Sequence, residues 1–119
     1  MRLDNKLVYR ILEESSNFET PDINPEALWT VIAQTYGYTD GQQFGYTLDK
    51  MYQGNLISKP SIKTKTGDIP LDFDITYDGH MFLKSLDAIP KEKLNSFFVE
   101  TAKMSIPTMI QAAKSQFGF

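Results

Sequence analysis

The run Ile75-Thr76-Tyr77-Asp78-Gly79-His80-Met81-Phe82-Leu83 constrains the fold of this chain more than any other stretch. Leu71, Phe73, Ile75 and Tyr77 alternate with Asp72, Asp74 and Thr76, the period of two of a strand with one buried face. An Asp-Gly break follows, and helical periodicity begins at once, with Met81, Phe82, Leu83 and Leu86 expected inward. The partner strand is expected over Leu56 to Lys65, at a sheet edge because Pro60 has no amide to donate. Thr66-Gly67-Asp68 supplies the tip of the hairpin.

Three helices precede the hairpin. Leu3, Leu7, Val8, Ile11 and Leu12 predict a helix near residues 3–15, ended by Ser15-Ser16-Asn17. Asn24-Pro25 caps and starts a second helix, which turns Leu28, Trp29, Ile32 and Tyr36 inward and stops at Gly37. Asp40 caps a third, with Phe44, Leu48, Met51 and Tyr52 on one face and Gly54 at its end. This order predicts an α+β, mostly α, winged helix-turn-helix over residues 1–86, with a two- or three-stranded wing. The third helix takes the recognition position.

Residues 87–119 are expected to form a C-terminal helical extension. Leu94, Phe97, Phe98, Ala102, Met104, Ile106, Met109, Ile110, Ala113 and Phe117 give it a broad apolar stripe. Pro107 breaks or kinks it near Ser105-Ile106, with Ser105 as a cap. The stripe has two uses. It packs back on its own domain, or it joins two subunits as a homodimer through Leu94, Phe97, Phe98, Ile106, Met109, Ile110 and Phe117.

Composition limits the functions open to such a fold. A chain of 119 residues with 41% hydrophobic and 13% aromatic residues can bury a core and is not a disordered tail. It has no cysteine, which excludes disulfides, iron–sulfur clusters and thiolate metal sites. The charged opening, Met1-Arg2-Leu3-Asp4-Asn5-Lys6, lacks the apolar run of a signal peptide, and no stretch approaches the ~20 apolar residues of a membrane span. A cytoplasmic protein without membrane association is the expectation. The net charge is −3, whereas dedicated nucleic-acid binders usually carry a basic surplus. Residues 1–86 hold eight basic and twelve acidic residues, and 87–119 hold four and three, so DNA binding requires a local patch.

The Ile75–Leu83 run resembles the L-T-x-x-G-H-x-F-L signature of a family of small bacterial and phage proteins. Residues 1–12 are similar to that family's opening helix. Tyr46 to Ile57 is similar to its helix with a Gly-Leu-Ile close, although Asn55 stands between Gly54 and Leu56. The likeness covers most of residues 1–86 and, more loosely, the C-terminal helix. It implies a winged-helix protein often found near mobile genetic elements. It implies no chemistry, since the family is itself a domain of unknown function and its DNA binding is inferred from fold.

The candidate residues point away from catalysis. His80 is the chain's one histidine, too few for a transition-metal site, and is expected to hydrogen-bond locally at the strand-to-helix corner. Asp72 and Asp74 resemble a carboxylate pair, yet Lys63 and Lys65 alternate on the facing strand and cross-strand pairing accounts for both. No nucleophile–base pattern or phosphate loop accompanies them. No catalytic residue, metal or cofactor is expected.

Two non-enzymatic functions remain. The leading one is a small DNA-binding transcriptional regulator of bacterial or phage origin. Gln42, Gln43, Tyr46, Thr47, Lys50 and Gln53 would face double-stranded DNA from the third helix, while Lys59, Lys63 and Lys65 meet phosphate from the wing. Residues 50–66 carry four positive charges and no acid. The alternative is a protein–protein interaction or assembly module without DNA binding, anchored by Tyr36, Tyr38, Tyr46 or Tyr52.

Overall fold

In the computed structural model, residues 3–117 are described, Phe117 by its backbone alone. Met1 and Arg2, part of the stretch likened to the family's opening helix, and the Phe117 side chain expected at the interface lie outside the described residues. Among those described, six helices surround one small antiparallel hairpin, an α+β fold that is mostly α.

The first three helices form where their caps place them. Asp4 accepts from the Leu7 amide at 3.1 Å and starts α1 (Asn5–Ser16). Leu7, Val8, Ile11 and Leu12 of α1 are wholly buried. The Asn24 side chain accepts from Ala27, Pro25 occupies the first turn, and α2 (Pro25–Tyr36) ends at Gly37 with φ 76°. Asp40 accepts from the Gln42 and Gln43 amides at 3.0 and 3.1 Å and starts α3 (Gly41–Gln53). Asn55, not Gly54, takes the left-handed conformation after α3, with φ 63°. Gly54 serves a different need: a Cβ there would stand 2.7 Å from Ile106 Cγ2. Tyr52, expected inward, is 44% exposed, because it lies beyond the edge of the Phe44–Leu48–Met51 stripe.

The first strand of the hairpin lies within its expected range and the turn close to its expected tip, but the return strand comes earlier than the alternating run. Strands β1 (Ser61–Thr64) and β2 (Gly67–Pro70) pair with Ile62 opposite Ile69 and Lys63 opposite Asp68. Lys65 and Thr66 form the turn, and Gly67 at φ 133° starts the return strand. Pro70, which has no amide to donate, ends the ladder opposite Ser61. The alternating run Leu71–Tyr77 is therefore extended chain rather than a strand of the hairpin. Phe73 bridges Ile23 and Ile75 bridges Ile57, each as a single pair. Phe73 and Ile75 are buried while Asp72 and Asp74 face out, since the alternation reports one buried face and not a ladder. The expected pairing of Asp72 and Asp74 with Lys63 and Lys65 does not occur. Asp68 takes the position opposite Lys63, and Asp72 instead accepts from Asn24 Nδ2 at 3.5 Å.

At the corner, Thr76 Oγ1 accepts from the Gly79 amide at 3.0 Å and donates to the Asn55 carbonyl at 2.6 Å, starting α4 (Tyr77–Asp87). His80 does not support this corner through its ring. Its imidazole is exposed, and only its backbone amide bonds Thr76, as any helical residue's would. Phe82, Leu83 and Leu86 are buried, whereas Met81, expected inward, is 44% exposed.

The chain closes with α5 (Lys91–Glu100) and α6 (Ile106–Phe117), separated at Thr101–Ser105, so the proline break falls where expected. Thr101 is fully buried and receives the Asn5 side-chain amide, which ties α1 to the end of α5. Tyr9 adds a second tie, its hydroxyl donating to Asp87 at 3.0 Å. Phe97, Phe98, Ile106, Met109 and Ala113 belong to the same continuous core as Leu7 and Phe73. Of the stripe with two expected uses, Phe97, Phe98, Ile106 and Met109 are buried within this chain. Leu94 and Ile110 are half-buried against that core. No helix among the described residues is long and apolar enough to cross a membrane.

Candidate functional site

The third helix and the hairpin bring together some of the residues expected to touch DNA and separate others. Tyr46, Lys50 and Gln53 form one cluster. Lys50 Nζ lies 5.4 Å from the Tyr46 ring centroid and 3.3 Å from Gln53 Oε1. Gln42 is exposed and Gln43 half-buried. Thr47 is a correction: it is wholly buried, on the same face as Phe44, Leu48 and Met51, with its hydroxyl donating to the Gln43 carbonyl at 2.7 Å. A helical threonine can enter a core because it satisfies its own hydroxyl in this way.

The lysines in and beside the hairpin are divided as well. Lys59 and Lys65 are exposed. Lys63 lies between two carboxylates, 3.1 Å from Asp49 of α3 and 3.4 Å from Asp68 of β2. The hydrogen bond and charge of Asp49, with Asp68 second, raise its ammonium above the usual lysine range. The pair is exposed and contributes little to stability, and it sets the middle lysine of the hairpin between carboxylates of α3 and β2.

The tyrosines proposed as anchors are mostly occupied. Tyr36 donates to Glu14 at 2.6 Å beneath the Arg10 guanidinium, and burial together with that carboxylate pushes its phenol up to about 12. Tyr38 is half-buried and its phenol is likewise raised, chiefly by burial.

Between α2, α3 and the hairpin lies a groove of about 500 Å³ that the sequence did not reveal. Its floor is Trp29, Phe44 and Leu48, with the Trp29 and Phe44 rings tilted at 41° and their centroids 5.1 Å apart. Pro25, Pro60 and Pro70 form its apolar edges. Its charged lining residues are Glu26, Asp49 and Asp68, with no cation among them. Gly41 and Gly45 line it from α3, one helical turn apart. A second cleft, between α3 and the α5–α6 turn, has the opposite sign, with Lys50 and Lys103 beside Tyr46 and Gln53 and no acid.

Gly45, inside α3, is a local signal for the groove. An interior helical glycine costs up to about 1 kcal/mol relative to alanine, and here a Cβ would meet no atom within 4 Å. Gly45→Ala is therefore expected to stabilise the protein by roughly 0.5–1 kcal/mol, read as a higher denaturation midpoint at unchanged slope.

No family model, no curated protein and no solved structure matches this chain.

Proposed function

We propose that this protein is a non-enzymatic interaction module on a winged helix-turn-helix scaffold, and that it binds another protein in the groove between α2, α3 and the hairpin. The observation that carries this reading is the groove's combination of an aromatic and aliphatic floor with acids as its sole charged lining. Burial of aromatic anchors is the main source of affinity at protein interfaces, and a partner's side chain can displace water from such a floor. Duplex DNA is a poor occupant. Its phosphates would meet Glu26, Asp49 and Asp68, and the lysine nearest to them is already paired.

One observation favours the regulator reading: the acid-free cleft that holds Lys50 and Lys103 on the other side of α3. The two readings separate through two variants. Gly45→Leu fills the groove, while Lys50→Ala with Lys103→Ala discharges the cleft. The interaction reading expects proteins captured from a cell extract to be lost with Gly45→Leu and retained with the double lysine change. It also expects labelled mixed-sequence duplex DNA to bind weakly or not at all at physiological salt. Micromolar DNA binding that weakens steeply with salt and with the lysine changes would establish the regulator instead.

A further inference from the structure

Two glycines identify the shape of what enters the groove. Among the described glycines, Gly37 and Gly67 have positive φ, and Gly54 and Gly79 each abut a neighbour that a Cβ would strike. Gly41 and Gly45 have neither reason. Their Cβ positions face open space, and both lie on the α3 wall of the groove, one turn apart. Together they leave a bare strip of helix backbone beside the Trp29–Phe44 floor, against which another chain can lie closely.

The charges identify its chemistry. Lys63 of the hairpin already places a primary ammonium between Asp49 and Asp68, two of the groove's lining residues. Its side chain is 68% exposed, so an incoming cation displaces it at little cost. Glu26, on the α2 side, is exposed and pairs with no cation among the described residues. Acids therefore stand on both walls of an apolar trough.

Resting on the docking reading above, we propose that the occupant is an extended segment of a partner protein with one aromatic or long aliphatic side chain flanked by lysine or arginine. The apolar side chain lies on Trp29 and Phe44, along the strip at Gly41 and Gly45. One flanking cation faces Glu26 and the other joins or replaces Lys63 at Asp49 and Asp68. An arginine at the second place gains a forked geometry that lysine lacks.

The test uses the full chain and a random-peptide phage library, selected on the wild type and counter-selected on Gly45→Leu. Selected peptides are then synthesised without tryptophan and titrated against the fluorescence of Trp29, the chain's sole tryptophan. The proposal expects a basic–apolar–basic motif to be enriched. It expects binding at least about tenfold weaker to Gly45→Leu and to Glu26→Gln with Asp68→Asn, in line with losing a charged contact. Denaturation curves for both variants confirm that each is folded. Enrichment of acidic or unflanked peptides, or full binding by the charge variant, overturns the cationic partner and leaves groove docking intact. An empty selection overturns the peptide segment, while loss of a captured protein with Gly45→Leu would still uphold the docking reading. Peptides that bind wild type and Gly45→Leu equally overturn both.

Discussion

Gly79→Ala is expected to destabilise the protein by about 3 kcal/mol or more, seen as a large fall in the denaturation midpoint. The cause is space and not torsion. A Cβ on Gly79 would lie 2.1 Å from the Leu56 carbonyl oxygen and 2.7 Å from Ile75 Cγ2. Neither neighbour can give way. The Leu56 carbonyl accepts the Thr76 amide at 3.0 Å, and Ile75 is buried in the core. Two further bonds close the same corner, Thr76 Oγ1 to the Asn55 carbonyl at 2.6 Å and Asn55 Nδ2 to Asp78 at 2.8 Å. The first turn of α4 is thus pressed directly on the backbone that leaves α3. Helix propensity alone favours alanine over glycine, so the expected signs for Gly45→Ala and Gly79→Ala are opposite. A small or favourable effect at Gly79 would contradict this packing.

Phe97→Ala is expected to cost about 3–5 kcal/mol, the usual range for deleting a buried aromatic ring. Phe97 is 1% exposed and its ring lies 6.0 Å from that of Phe98, within the core that also holds Leu7 and Met109. The C-terminal helices are part of that core and not an appendage. Thr101 and Asn5 join the two ends of the chain by buried hydrogen bonds, and Ile106 fills the space that Gly54 leaves. Unfolding of both the wild type and Phe97→Ala should therefore be independent of protein concentration. If α5 and α6 were exchanged between subunits, the midpoint would rise with concentration.

The local signals in the sequence were accurate where one residue decides one event. Asn24-Pro25, Gly37 and Asp40 mark helix ends, and each does so because a side-chain oxygen, a ring or a missing Cβ acts on its own few residues. Pro107 marks the break between α5 and α6 for the same reason. Failures arose where distant parts of the chain compete. Leu71–Tyr77 alternates because Ile23 and Ile57 each bridge it once, and nothing in the alternation distinguishes that from a hairpin strand. The alternation predicts Asp72 or Asp74 as the carboxylate beside Lys63, yet its partners are Asp68 across the hairpin and Asp49, 14 residues away on another element. Thr47 was legible in principle, since it falls three residues after Phe44 and four before Met51, but its hydroxyl made it look like surface. The groove is built from three separate elements, so only its open glycines left a trace in the sequence.

The most direct test of groove docking is backbone-amide and indole chemical-shift mapping on the full chain. One sample receives a library-selected basic–apolar–basic peptide, and a second receives mixed-sequence duplex DNA at physiological salt. The account predicts that the peptide moves the Gly41 and Gly45 amides and the Trp29 indole, while DNA leaves them in place. Shifts produced by DNA across Gln42, Tyr46, Lys50 and Lys59, with Trp29 silent to the peptide, would contradict it.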